Sequence, residues 1–245
     1  MLSDIGFIAA NTSRTRAYLA ALERNNLLPC WCLLLDDDSN KPKIGQASRN
    51  VSKRQDSCFL EDAWSESNFD PTVPLEPWLK RLGIKYERSN TQDIHSDDVI
   101  DLIKDAKPAI LIYSGYGGVL LRKSLIDCGK KFLHVHGGYL PDFKGSTTNY
   151  YSLLVDRSVG ASSIFLSADI DSGPILHRSK FSAPPSCLEL DHIYDSAARA
   201  KVLVQTLQDY QKNGKFCSLE NVQEGNLFYI IHPVLKHLAI LGHAS

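Results

Sequence analysis

The stretch LHVHGGYLP, residues 133–141, joins an apolar strand pattern to a glycine turn. Side chains two residues apart on a strand point to the same face. We therefore expect His134 and His136 to project together, with Cα atoms about 6.5–7 Å apart. Polar groups at the end of a buried strand are typical of the sites where α/β proteins do chemistry. The alternative interpretation is a pair of hydrogen-bonded histidines at a strand end.

Apolar runs and helical patterns alternate outward from this stretch. The pattern predicts an α/β fold, with a Rossmann-like, mostly parallel sheet flanked by helices. Predicted strands lie at residues 5–10, 29–35, 84–87, 108–113, 133–136, 160–166 and 175–178. Predicted helices lie at residues 14–25, 74–82, 97–105, 122–128, 147–154 and 188–213.

The chain is expected to form one catalytic domain with a short C-terminal extension. We assign residues 1–185 to the domain and residues 186–245 to a helix and tail packed on the same body. Residues 39–68 are polar, have no strong period, and are predicted to form a loop or an irregular helix.

Composition excludes several classes of partner. The 245 residues are 43% hydrophobic and 22% charged, which is ordinary for a globular protein. A net charge of −1 gives no field that would gather nucleic acid or an anionic membrane. The six cysteines show no C-x-x-C spacing, so reduced thiols are expected. With no signal-peptide pattern and no membrane-spanning apolar run, the expected location is cytoplasmic.

The glycine turn belongs to the first of three motifs that follow one another along the chain. They are HVHGGYLPDFKG at residues 134–145, VGAS at residues 159–162, and DIDSGPIL at residues 169–176. Over roughly residues 105–180, this combination resembles the folate-dependent formyltransferases. These include methionyl-tRNA formyltransferase, glycinamide ribonucleotide formyltransferase and the sugar N-formyltransferases, to which the chain is most similar.

The resemblance implies a formyltransferase-type fold and 10-formyltetrahydrofolate as the formyl donor. His136 and Asp171 match two of the family's three catalytic positions, and His134 stands where the family has Asn. The implied acceptor is a small-molecule amine, most like an amino sugar that is often nucleotide-linked. As an assembly, a homodimer is considered.

Formyl transfer to an amine requires a deprotonated nucleophile, a stabilised oxyanion and a protonated leaving nitrogen. A histidine can move protons near neutral pH and donate to the oxyanion, and we assign this role to His136. Asp171 would fix the imidazole tautomer or move protons through water. A neutral His134 can donate through one nitrogen, as Asn donates through its amide.

Two further groups of residues are expected to bind the donor and the acceptor. The glycine-containing loop after the strand at 108–113 resembles the family loop that contacts the pterin. The donor group comprises Gly117, Gly118, Val119, Leu120 and Leu121, with Asp169 and Ile170. The acceptor group comprises Asn11, Thr12, Ser13 and Arg14, with Lys144, Gly145 and Ser146. A plain helix cap at 11–14 and a solvent-exposed Lys144 are the competing interpretations.

Two other functions remain open from the sequence. His134, His136 and Asp171 suit the ligand preferences of zinc or iron, which would make the protein a metal-dependent hydrolase. The replaced Asn also suits a non-catalytic relative that binds a ligand. No metal is expected under the leading hypothesis.

Overall fold

The computed structural model describes residues 1–36, 68–184, 189–219 and 224–242. The loop predicted at residues 39–68 lies outside these ranges except for its last residue. The first residue of the helix predicted at 188–213 also lies outside them.

The fold is built on a mostly parallel sheet. Within the described ranges, seven strands are ordered β3-β2-β1-β4-β5-β7-β8, and a separate two-stranded sheet pairs β6 with β9. The strands are β1 Leu2–Ala10, β2 Pro29–Leu35, β3 Lys85–Arg88, β4 Ile110–Ser114, β5 Lys131–His136, β6 Phe143–Gly145, β7 Ser158–Phe165, β8 Ile175–Ser182 and β9 Asn226–Phe228. The first five strands pair in parallel, and β7 and β8 add antiparallel pairs at one edge. The predicted fold class is confirmed.

Helices cover both faces of the sheet. They are α1 Ser13–Arg24, α2 Leu75–Arg81, α3 Asp97–Asp105, α4 Lys123–Ile126, α5 Thr148–Asp156, α6 Asp195–Asn213 and α7 Pro233–Leu241. A π-helical turn, Leu190–Tyr194, leads into α6. The long helix predicted from residue 188 is therefore a π-turn followed by an α-helix.

The alternation of side chains along β1 explains the two-layer core. Phe7 and Ala9 pack with α1, α2 and α6 on one face of the sheet. Ile8 and Ala10 pack with α3 and α4 on the opposite face. A strand buried on both faces must be apolar throughout, as this run is.

The C-terminal part packs through a smaller apolar cluster. Ile231 and Ala239 lie against Tyr150 of α5, and β9 runs parallel to β6. Exposed apolar side chains remain on α7, including Val234 and Leu238. The domain boundary at residue 185 stays a prediction. Among the described residues, none of the helices has the length and apolarity needed to cross a bilayer.

The strand order places a crevice between β1 and β4. From β1 the chain proceeds outward to β2 and β3, then returns to β4 and β5 on the other side. Ligands of open α/β sheets bind at such a reversal, beyond the carboxyl ends of the strands. The segments after β1, β4 and β5 carry the predicted site residues.

Candidate active site

His136 and Asp171 meet at the carboxyl end of β5. The His136 side chain is 7% exposed and that of Asp171 is 11% exposed, with 3.3 Å between Nδ1 and Oδ2. Asp171 lies in the loop between β7 and β8, and its φ of 49° is in the left-handed region. The Gly145 N–H donates to the same Oδ2 over 2.9 Å. The structure therefore brings together the histidine and the distant carboxylate.

Two glycines make this approach sterically feasible. A Cβ on Gly138 would lie 2.6 Å from His136 Nε2 and 2.6 Å from the Phe143 carbonyl oxygen. A Cβ on Gly173 would lie 1.7 Å from the Phe165 carbonyl oxygen. The first glycine leaves room for the imidazole, and the second lets the Asp171 loop return against β7.

Both nitrogens of His136 have protein partners. Nε2 is 2.9 Å from the Phe143 carbonyl oxygen, and a carbonyl only accepts, so Nε2 carries a hydrogen. The contact of Nδ1 with Asp171 is then attractive only when a proton lies between the two atoms. Burial lowers the pKa of His136, and the Asp171 carboxylate opposes that shift. The pair is arranged to hold one proton.

His134 occupies the same strand face but has different contacts. Its Nδ1 lies 3.3 Å from the Tyr113 carbonyl oxygen at the end of β4. Burial, followed by the nearby charges of Arg14 and Arg199, holds the pKa of His134 well below its usual value. The half-buried ring is therefore neutral at pH 7.

Two arginines, one on α1 and one on α6, lie near the histidines and influence the pKa of His134. Arg14 Nε donates to Ser114 Oγ over 3.3 Å, and its Nη2 donates to the Gly115 carbonyl. Arg199 Nε donates to Asp195 Oδ2 over 2.7 Å, and its Nη1 donates to the Val135 carbonyl over 3.0 Å. Arg14 thus links α1 to the end of β4, and Arg199 anchors α6 to β5.

Sequence reasoning missed Arg199 and Asp195. A signal was present, because an i,i+4 acid–base pair lies at the start of a predicted helix whose buried residues are mostly small or apolar. Such a pair is usually solvent-exposed, yet here the side chains are 17% and 14% exposed.

The expected acceptor residues lie in two places. Thr12 caps α1, with its Oγ1 accepting from the Thr15 N–H over 3.2 Å, which favours the helix-cap interpretation for that residue. Asn11 Oδ1 accepts from Arg16, and Ser13 Oγ lies 3.5 Å from Ser196 Oγ.

The second acceptor segment adjoins the Asp171 loop. Lys144 Nζ donates to Ser172 Oγ over 3.4 Å, and the Gly145 N–H donates to Asp171. The Ser146 N–H instead donates to the Phe228 carbonyl of β9 over 2.9 Å. Lys144 and Gly145 therefore contact the loop that carries Asp171, whereas Ser146 contacts β9.

The expected donor loop directly follows β4. Among the residues that the structure describes, no neighbouring atom lies within 4 Å of a Cβ built on Gly117 or Gly118. Val119 and Leu120 are 39% and 64% exposed, and the Leu120 carbonyl contacts His95 Nε2 at 2.9 Å. Leu121 packs partly against the core.

The remaining donor residues belong to the loop between β7 and β8. Ile170 is 44% exposed, and its carbonyl accepts from Ser172 Oγ over 2.9 Å. The Asp169 carbonyl accepts from Ser167 Oγ over 3.2 Å. Exposed apolar side chains beside open glycines can receive a flat aromatic ring.

A cavity of about 290 Å³ opens at the carboxyl ends of β1 and β2. Its lining includes Asn11, Arg16, Asp36, Glu76 and Arg88, but neither histidine of β5. The cavity is therefore an extension beside the predicted acceptor segment rather than the place of the chemistry.

A family model described as formyl transferase matches residues 39–206. The chain belongs to the formyl transferase family. Methionyl-tRNA formyltransferase of Finegoldia magna is 25% identical over 177 residues, covering 71% of this chain and 56% of the relative. Formyltetrahydrofolate deformylase 1 of Arabidopsis thaliana is 32% identical over 104 residues, covering 41% of this chain and 32% of the relative. The matches thus span between a third and somewhat over half of these curated relatives.

Solved structures of low sequence identity share the fold. A sugar N-formyltransferase from a Shewanella species has a TM-score of 0.55 at 13% identity, covering 98% of this chain and 88% of that chain. Glycinamide ribonucleotide transformylase 1 of Symbiobacterium toebii has a TM-score of 0.55 at 14% identity, covering 91% and 93%. The predicted family and fold are confirmed.

Proposed function

We propose that this protein transfers a formyl group from 10-formyltetrahydrofolate to the amine of a small acceptor, an amino sugar that is often nucleotide-linked. The observation that carries the proposal is the 3.3 Å contact of His136 with Asp171 at the end of β5, in a member of the formyl transferase family. A buried imidazole–carboxylate pair can act as a general acid–base beside the crevice in which α/β proteins bind ligands.

The described residues fit a folate donor. Gly117 and Gly118 leave open space after β4, and exposed Val119 and Leu120 offer apolar contacts for the pterin. A structural neighbour, HypX of Aquifex aeolicus, is described in complex with tetrahydrofolic acid; it has a TM-score of 0.52 and covers 69% of this chain and 31% of that chain. Asp169 and Ile170 complete the proposed donor site from the loop that carries Asp171.

The acceptor would enter between the segment after β1 and the β6 segment. Asn11, Ser13 and Arg14 approach the crevice from one side, and Lys144 and Gly145 approach it from the other. The 290 Å³ cavity beside Asn11 offers both cationic and anionic side chains to the rest of the acceptor. Carboxylates and guanidinium groups can bind sugar hydroxyls and phosphates, which supports a nucleotide-linked sugar.

In the proposed reaction, the acceptor nitrogen attacks the formyl carbon and the bond to N10 of the folate breaks. The His136–Asp171 pair supplies the proton that the leaving nitrogen requires. Arg14 and Arg199 add positive charge where the oxyanion develops, although each also has a structural partner in the protein.

The test is an assay with a carbon-labelled formyl donor. Purified protein is incubated with 10-formyltetrahydrofolate and separately with UDP-linked and dTDP-linked amino sugars, glycinamide ribonucleotide and methionyl-tRNA. Mass spectrometry should find labelled formamide on an amino sugar together with tetrahydrofolate. Labelled methionyl-tRNA alone would refute the small-molecule acceptor, and the absence of every labelled product would refute the transferase.

A second candidate is hydrolysis of the same donor. It is favoured by the segment that is 32% identical to a formyltetrahydrofolate deformylase. Water would then replace the amine, and the products would be formate and tetrahydrofolate without any acceptor. The same assay separates the two candidates, because only hydrolysis releases labelled formate at full rate when no amine is present.

The metal-dependent hydrolase receives no support from the geometry. The described part of the chain contains no group of three or more side chains arranged to hold a metal ion. His134 Nδ1 and both nitrogens of His136 already face protein atoms.

Cytoplasmic location and a homodimer stay predictions, which cell fractionation and analytical ultracentrifugation can test.

A further inference from the structure

We propose that His134 accepts a hydrogen bond from the attacking amine through Nε2, rather than donating one to the oxyanion as an Asn at this position would. This inference rests on the proposed formyl transfer. It reverses the role that sequence reasoning gave to His134, because the structure fixes which of its nitrogens holds the hydrogen.

The Tyr113 carbonyl determines the tautomer. It lies 3.3 Å from His134 Nδ1 and can only accept, so Nδ1 must carry the hydrogen. A neutral imidazole has one N–H, and its other nitrogen is then an acceptor. Nε2 of His134 therefore presents a lone pair. An Asn side chain differs, because its NH2 group donates hydrogen bonds and its oxygen accepts them.

Burial, and then the charges of Arg14 and Arg199, lower the pKa of His134 and keep it neutral. His136 acts in the same direction when it is protonated. The weak contact with the Tyr113 carbonyl opposes these effects without outweighing burial. The same guanidinium groups disfavour an ammonium ion next to His134, so they favour an acceptor bound as the free amine.

The open nitrogen is on His134 and not on His136. Among the described residues, no hydrogen-bond partner of His134 Nε2 is found, and the ring is half-buried rather than enclosed. His136 instead has Nε2 on the Phe143 carbonyl and Nδ1 on Asp171. An amine entering the site thus meets an acceptor nitrogen on His134 and a proton-holding pair at His136 and Asp171.

This division balances the reaction. The amine lone pair forms the new bond to the formyl carbon, and the electrons of the broken carbon–N10 bond remain on N10. The acceptor nitrogen loses one proton and N10 gains one. The His136–Asp171 pair gives its proton to N10 and takes the proton that the acceptor nitrogen releases, so the pair returns to its starting state and no other reactant is consumed. His134 stays neutral and only accepts a hydrogen bond through Nε2.

The first test reads the tautomer directly in the intact protein. Two-dimensional ¹⁵N NMR of the histidine rings at neutral pH, assigned by comparison with His134→Phe, should show hydrogen on Nδ1 of His134 and none on Nε2. Hydroxylamine, an amine that is uncharged at this pH, should shift the Nε2 resonance. Hydrogen on Nε2, or a protonated ring, would overturn the inference whether or not the protein transfers formyl groups.

The second test uses His134→Phe, which keeps an aromatic side chain and removes both ring nitrogens, including the acceptor Nε2. With whichever amino sugar is active in the labelled-formyl assay, the KM for the amine should rise about tenfold, which is the loss of one hydrogen bond. Tetrahydrofolate affinity should not change. A fall in kcat with an unchanged amine KM would instead assign His134 to the oxyanion.

A matched variant controls for folding. His177→Phe changes a half-buried histidine of β8 whose contacts are with Asp209 and Ser179, and it should keep the wild-type KM. Failure of both proteins to bind tetrahydrofolate would count against the proposed function, whereas the NMR result would still decide the role of His134.

Discussion

The Gly145 N–H and the Asp171 carboxylate lie 2.9 Å apart, so a backbone group of β6 holds the loop that supplies the partner of His136. The same Oδ2 atom faces His136 Nδ1. A segment beginning at the glycine turn and a separate loop beyond β7 are thereby joined at one oxygen atom. This bond makes the position of the carboxylate depend on β6, which pairs with β9.

Asp171→Asn should remove most activity while preserving the fold. The amide oxygen can still accept from Gly145, and Asn tolerates the positive φ at this position. The imidazole loses its anionic partner, so kcat should fall by about 10²–10⁴, the usual worth of a general acid–base group. Steady-state kinetics and circular dichroism measure the two effects. Asp101→Asn, on the exposed face of α3, is the control, and an Asp171→Asn protein with near wild-type kcat would contradict the proton-holding role.

Gly138→Ala should impair the same site by steric displacement. The new methyl group would lie 2.6 Å from His136 Nε2 and 2.9 Å from Thr148 Oγ1, so the imidazole must leave the Phe143 carbonyl. We expect loss of activity and about 1–3 kcal/mol lower stability, as is typical of overpacking. Kinetics and urea unfolding measure these changes. Gly242→Ala, whose nearest neighbour would be 3.3 Å away, provides the comparison, and equal behaviour of the two variants would count against the proposed steric restriction.

Stability should decrease in acid because His134 resists protonation. Its pKa is lowered by burial and by Arg14 and Arg199, so below about pH 6.5 the unfolded chain binds a proton that the folded chain excludes. At pH 5.5, this one group costs up to about 1.4 kcal/mol relative to pH 7.5. Urea unfolding of His134→Asn should show a correspondingly smaller loss between the two pH values. An unchanged loss would show that His134 is readily protonated in the folded protein.

Gly117→Val should separate folding from folate binding. A Cβ at this position would meet no neighbouring atom of the described ranges within 4 Å, and the backbone has no positive φ there. Stability should therefore change by less than about 0.5 kcal/mol. If the pterin approaches this backbone, the added side chain should weaken tetrahydrofolate binding about tenfold or more. Thermal unfolding and calorimetry measure both quantities. An unchanged affinity for tetrahydrofolate would contradict a donor site at the loop after β4.

The central sheet could be predicted from the sequence because the periodicity of its strands and helices is a local signal. The pairing of His136 with Asp171 is not local, and it was expected from the family resemblance. The strongly periodic residues 97–105 form α3 with the predicted limits, and the glycine turn ends β5 after His136 as expected. The antiparallel edge formed by β7 and β8 was not specified, because a short apolar run does not encode strand direction.

Long-range pairings were beyond sequence reasoning. Strands β6 and β9 have three residues each and lie about 80 positions apart, which is too short a pattern to predict their pairing. The burial of Arg199 and Asp195 depends on α6 docking over the end of β5. The orientation of His134 likewise depends on a carbonyl contributed by β4, which the sequence around residue 134 does not reveal.

The most direct test of formyl transfer through the His136–Asp171 pair is a single-turnover experiment. It follows a labelled formyl group from 10-formyltetrahydrofolate and compares the unaltered protein with Asp171→Asn. We expect the unaltered protein to form tetrahydrofolate and a labelled formamide on an amino sugar, and the variant to bind the folate equally well while turning over at least about a hundredfold more slowly. Equal rates in the two proteins, or no labelled product despite bound folate in the unaltered one, would contradict formyl transfer through this pair.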